Sequence, residues 1–180
     1  RMVRKDGSVR FAHSVIVPKA LDDLPRIGVS FPLPEGFTVV SWWGNGPHEC
    51  YPDRESSAML GIYSGEADEL PYLVPQEYGL RTQCRWFEVS NPKTKEVIRI
   101  EADGQPLHMS ALPYTTQDLY QAVDQTELIK RPYLTMNIDI AHRGLGTASC
   151  GPDVLPKYRI QPGKFLFAYV VSRESRGTNR

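Results

Sequence analysis

The sequence predicts an all-β fold of about ten short antiparallel strands arranged in two packed sheets. Three observations lead there. Turn-forming residues, 15 Pro and 14 Gly, are spread along all 180 positions and leave only short uninterrupted stretches. Several of those stretches alternate apolar and polar residues with period two, the pattern of a half-buried strand. Only one segment, 115–122, has the spacing of a helix.

The elements follow in order. Asp6-Gly7 is a hairpin-type turn leading into a strand over 8–17, in which His13 is read among the polar, surface positions. Residues 18–25 form a loop. A second strand spans 26–31 and ends at Pro32 and Pro34, and Glu35-Gly36 turns the chain into a strand over 37–43. That strand closes in Val39-Val40-Ser41-Trp42-Trp43 and is expected to break on Gly44, Gly46 and Pro47, which stiffen the loop that follows. The loop carries Glu49, Asp53 and Arg54 close together, so a carboxylate–arginine pair is expected, in a structural role at a sheet corner. A short strand over 59–63 ends in Ser64-Gly65-Glu66. The acidic, Pro-rich excursion 66–76 is anchored by Tyr72, Leu73 and Val74. The stretch 80–89 reads as one alternating strand with Cys84 and Trp86 on its core side. A polar turn over 91–95 leads to a partner strand over 96–102, Asp103-Gly104 turns again, and 108–112 is a strand. In the helix, Thr115 or Thr116 caps the N-terminus and Asp118 suits the first turn. Residues 133–141 alternate most regularly: Leu134, Met136, Ile138 and Ile140 face one way, Thr135, Asn137 and Asp139 the other. A Gly-rich loop follows, then a strand over 164–171 and a frayed polar tail over 172–180.

Composition excludes several classes. Lys and Arg number 21, as do Asp and Glu, so the net charge is zero and the basic face of a nucleic-acid-binding protein is missing. Apolar runs such as 165–171 fall far short of the roughly 20 residues of a membrane helix. Three cysteines, Cys50, Cys84 and Cys150, form neither a disulfide framework nor a metal-binding spacing, and Cys50 and Cys84 are expected to be buried free thiols. No H-E-x-x-H set, G-x-S-x-G elbow or phosphate loop occurs. The chain starts mid-pattern at Arg1, and we expect its true N-terminus to lie upstream. The compartment, cytoplasm or periplasm, therefore stays open.

Four motifs carry a resemblance. Gly46-Pro47-His48-Glu49-Cys50-Tyr51-Pro52-Asp53-Arg54 looks like the GP-x-E-x-YPDR motif of the C-terminal, small-chain domain (the fifth domain) of glycoside hydrolase family 2 β-galactosidases. Leu24-Pro25-Arg26-Ile27-Gly28 resembles that domain's leading strand. Pro75-Gln76-Glu77-Tyr78-Gly79-Leu80-Arg81 resembles its P-x-E-x-GLR segment. Gly144-Leu145-Gly146-Thr147-Ala148-Ser149-Cys150-Gly151-Pro152 resembles its active-site-facing loop, in the Ser-Cys-Gly-Pro variant. The motifs occur in the family's order and cover 24–171. The resemblance implies an antiparallel β-supersandwich of the galactose mutarotase-like type. The family's version is longer than this chain, which is taken as a single domain over 1–180, its C-terminal part, with strands missing at the sheet edges.

Family resemblance also implies a function. The parent enzymes cleave β-galactosides by the retaining mechanism, with two carboxyl groups about 5 Å apart. Those groups lie on a TIM-barrel domain, which this sequence lacks, so Glu49, Asp53, Glu77 and Asp139 are not assigned to catalysis and the isolated chain is expected to be inactive. Glu49, Tyr51, Asp53 and Arg54 are expected to be structural. The family's loop brings a Trp against the sugar on the aglycone side, and Cys150 stands at that position here. With Ser149, Thr147 and Gly146 it forms the expected substrate-binding set. No cofactor is expected in this chain. The family commonly binds Mg and Na in the barrel domain. Expected partners are the galactoside, the TIM-barrel domain of the same polypeptide and further copies of the parent in a homo-oligomer. The alternative is a free-standing β-sandwich carbohydrate-binding module, which unlike a subsite loop would bind sugar by itself. A purely structural interaction domain is a third, more distant option.

Overall fold

The computed structural model describes residues 1–69, 72–146 and 151–175. Among the described residues, eleven strands form two antiparallel sheets. In chain order they are β1 (Met2–Val3), β2 (Val9–Val17), β3 (Arg26–Pro32), β4 (Val39–Gly46), β5 (Met59–Glu66), β6 (Arg81–Cys84), β7 (Trp86–Ser90), β8 (Glu96–Ala102), β9 (Leu107–Leu112), β10 (Thr135–His142) and β11 (Gly163–Ser175). The large sheet runs β1-β2-β11-β8-β7-β4-β5 and the small one β3-β10-β9-β6. Between them lies the main core, built from Trp42, Phe87, Val89, Ile100, Met109, Met136, Ile138, Phe167 and Tyr169. The expected all-β sandwich is the observed architecture.

Helix α1 (Thr116–Gln121) begins at Thr115, whose hydroxyl accepts from the Asp118 N–H while the Asp118 carboxylate accepts from the Thr115 N–H. This reciprocal arrangement satisfies two donors that a helix start leaves open. Leu119 then packs with Tyr78, Leu112 and Tyr114 in a second, smaller core.

Five expectations are corrected. First, 80–89 is two strands. Cys84 pairs with Leu107 in the small sheet, and Trp86 pairs with Trp43 and Glu101 in the large one. The switch occurs at Arg85, whose N–H donates to Trp43 and whose carbonyl accepts from Ala102. It reverses the inward parity, so Phe87 enters the core and Trp86 is half-buried on the outer face beneath the Arg99 guanidinium, 4.5 Å away. Second, His13 shares the inward side of β2 with Phe11 and Val15 and stacks on Phe167, with ring centroids 4.7 Å apart. Third, β4 continues through Gly44 to Gly46, because both glycines permit close approaches: a Cβ at Gly44 would lie 2.9 Å from the Thr82 carbonyl oxygen and one at Gly46 2.6 Å from the Tyr63 ring. Fourth, Tyr72 does anchor its excursion, but Leu73 and Val74 are exposed. Fifth, Ser172 to Ser175 are not frayed. They continue β11 against Arg99 to Glu96 of β8.

Candidate functional site

The polar side of β10 is not solvated. Thr135, Asn137 and Asp139 are all buried. Covering this end of the small sheet are two segments away from it in sequence, the loop after β4 and the stretch before β6, and here the four sequence motifs meet. Cys50 N–H donates to the Leu80 carbonyl at 2.8 Å, which ties the loop to that stretch like a short extra strand pair. Glu49 accepts from the Gly79 N–H at 2.7 Å, from the Tyr72 hydroxyl and from Arg54. Burial alone would push the Glu49 carboxyl up; these three donors outweigh it and hold it below the usual carboxylate range. The expected carboxylate–arginine pair is thus Glu49–Arg54. Cys50 and Cys84 are buried free thiols, as expected, and burial pushes them up to about 11 and about 12.

Beneath the loop lies a buried ion cluster. Arg26 of β3 binds both Asp139 oxygens in a fork and donates to Glu77 at 3.0 Å. Gly28 allows this approach, because a side chain there would overlap Asp139. His142 places Nε2 3.1 Å from the same Glu77 oxygen, and its Nδ1 donates to the Arg143 carbonyl at 2.8 Å. Both ring nitrogens therefore face acceptors, and the imidazolium is the form that satisfies them. Burial would lower the His142 pKa, yet Glu77 outweighs it and the net shift is upward. Burial dominates at Asp139 and pushes it up to about 6 against the pull of Arg26. Tyr51, fully buried, sets its ring edge-on to His142.

The fourth motif starts where β10 ends. Tyr51-Pro52-Asp53-Arg54 is a tight turn closed by reciprocal backbone bonds between Tyr51 and Arg54 of 3.2 and 2.8 Å. Asp53 at its tip accepts from the N–H of Leu145 at 2.9 Å and of Gly146 at 2.7 Å. Beside it, Arg143 binds Asp23 at 2.7 and 3.0 Å and Asp153 at 2.7 and 2.9 Å, and Arg159 binds Asp153 at 3.1 Å. The start and the end of the Gly-rich loop are thereby tied to each other and to the body. Of the expected substrate-binding set, Gly146 is placed here, with φ +65° and backbone against Val154. Thr147, Ser149 and Cys150 lie outside the described residues.

Sequence reasoning missed Arg26, Glu77, Asp139 and His142 as one cluster, and Asp23, Arg143 and Asp153 as another. The polar positions of 133–141 were a partial signal. The partners, some of them more than a hundred residues apart, carried none. Among the described residues no group of three or more His, Cys, Asp or Glu is arranged to hold a metal ion.

The chain matches the family model "Beta galactosidase small chain" over residues 2–171. It belongs to that family. Similar proteins include β-galactosidases of Arthrobacter sp. (strain B7), 39% identical over 82% of this chain, and of Vibrio cholerae serotype O1, 34% identical over 87%. That of Aeromonas hydrophila is 34% identical over 93%. The chain spans only about 15% of the length of each of these relatives. It is a small-chain accessory domain.

Proposed function

We propose that this domain serves a β-galactosidase that hydrolyses terminal β-D-galactosides with retention, and that it supplies the aglycone-side loop. The parent's carboxylate pair belongs to its TIM-barrel domain, where Mg and Na would also bind, and the parent works as a homo-oligomer. In this reading Cys150, Ser149, Thr147 and Gly146 face the leaving group, with the hydroxyls bonding sugar or water. One observation carries the reading: both ends of the loop are fixed by charged groups, Asp53 on one side and the Arg143–Asp153 pair on the other. So much charge at the root of a connection suits a loop that must present its tip in one place. A free-standing carbohydrate-binding module fits less well. Its usual sugar platform is an open aromatic face, and the outward Trp43 and Trp86 each have a face covered by an arginine, Arg85 and Arg99.

The test is Cys150→Trp in the intact polypeptide. Aglycone contacts act on the first sugar complex and on acceptor capture, not on the later attack of water on the glycosyl-enzyme. KM for lactose and the ratio of transfer to hydrolysis should therefore change while the deglycosylation rate does not. Unchanged kinetics on lactose and on an aryl galactoside, with stability intact, would remove the loop from the site.

A further inference from the structure

We propose that Asp53 is a positioning residue for the parent's reaction, setting aglycone selectivity through the backbone of Leu145 and Gly146. The inference rests on the reading above. It adds a residue outside the loop as the part that determines where the loop starts.

The geometry is specific. Pro52 fixes its own φ in the turn, and the reciprocal Tyr51–Arg54 bonds close that turn around Asp53. Glu49, Arg54 and Tyr72 brace its base. Each Asp53 oxygen takes one N–H, Oδ1 from Leu145 and Oδ2 from Gly146, so the carboxylate fixes the orientation of the segment as well as its distance. Val154 stands beside the same backbone. A Cβ on Gly144 would lie 2.6 Å from the Asp53 carboxyl carbon and 2.7 Å from a Val154 methyl. At Gly144 the segment thus abuts a hydrogen-bonding wall and an apolar one that converge where a side chain would stand, with no slack for a single extra carbon. Neither wall belongs to the loop's own tip, so both can be altered without touching a group that meets substrate.

Two opposite perturbations test this in the intact enzyme. Asp53→Ala removes the two bonds. Gly144→Ala keeps the carboxylate and forces the walls apart. Both are expected to raise KM for lactose about tenfold and to shift the transfer-to-hydrolysis ratio, within the range a misplacement of order 1 Å produces. Both should leave the deglycosylation-limited kcat on an activated aryl galactoside unchanged. Asp118→Ala, which disrupts the α1 cap and the Arg131 pair at a different place, controls for general loss of stability. If it produces the same kinetic change at a similar fall in Tm, the role of Asp53 is merely structural and the proposal fails. It also fails if Cys150→Trp alters aglycone kinetics while Asp53→Ala and Gly144→Ala do not; the subsite reading then survives without it. If all three leave aglycone kinetics unchanged, both fall. Should Asp53→Ala not fold, Asp53→Asn, which keeps one acceptor, is measured in its place with an expected intermediate effect.

Discussion

At the scale of single residues, the site is built from charges that neighbours hold in one protonation state. His142 shows this most directly. Its ring faces Glu77 through Nε2 and the Arg143 carbonyl through Nδ1, with Arg26 and Asp139 behind Glu77 and the Tyr51 ring alongside. Its folded pKa is raised above the ordinary 6.5. A raised basic group stabilises fully below the unfolded value and loses that contribution as pH rises through the folded one. Asp139, raised from 3.8 to about 6, acts earlier on the scale: the folded state favours its protonated form, so its ionisation between those values lowers stability. Glu77 is lowered and contributes above its ordinary 4.5, losing that as pH falls through its folded value. We therefore expect the Tm difference between the native protein and His142→Gln to be largest at and below pH 6.5 and to shrink as pH rises further. Thermal melts of both proteins at matched ionic strength would show it. A difference that stays constant across pH would mean that His142 stabilises as a neutral ring.

At the scale of elements, the loop between β4 and β5 is held by hydrogen bonds as well as by the burial of Cys50 and Tyr51. Glu49 is its principal tie to the stretch before β6, through the Gly79 N–H and the Tyr72 hydroxyl, and to its own far end through Arg54. Glu49→Gln keeps the shape but removes the charge and forces an N–H₂ group against donors. The expected cost is about 1–3 kcal/mol, the range for a buried polar group left unmatched. Denaturant unfolding should show it as a lower midpoint at unchanged slope. The sequence already suggested that a carboxylate of this Pro-stiffened segment pairs with Arg54, but left Glu49 and Asp53 both open as the partner. It could not show that Asp53 turns the other way, toward Leu145, because 92 residues separate them and only the closed sandwich brings them together.

At the scale of the whole molecule, the sandwich ends in a polar cap whose acids are occupied. Arg26 bridges Glu77 and Asp139, Arg54 binds Glu49, and Arg143 joins Asp23 to Asp153. A retaining glycosidase needs one carboxylate free to attack and one carboxyl group able to give a proton. Glu49 and Glu77 are held ionised by their partners and have no proton to give, and Asp139, raised to about 6, is buried beneath Arg26. The isolated chain is therefore expected to release no chromophore from an aryl β-galactoside above a buffer control, while the full polypeptide does so. Turnover by the pure isolated chain would place the chemistry here and overturn the division of labour between domains.

By itself, the sequence determined the class of fold, most strand positions, a threonine cap at Thr115 or Thr116, the buried thiols and the family. Each of these depends on neighbours within a few residues: period-two alternation, turn chemistry, a hydroxyl three positions before Asp118, motifs read as local words. The tertiary structure decided the rest. It placed His13 inside and Trp86 outside, because inward parity depends on which sheet a strand joins and where the chain switches at Arg85. It buried the polar side of β10, setting Asp139 beneath Arg26 and Glu77, and Asn137 against Ser110. It also joined Arg26, Glu77, Asp139 and His142 into one cluster. Coulombic and hydrogen-bond partners are chosen by distance in space, and over a hundred residues of chain that distance is set only when β3 pairs with β10 and the stretch before β6 folds against them.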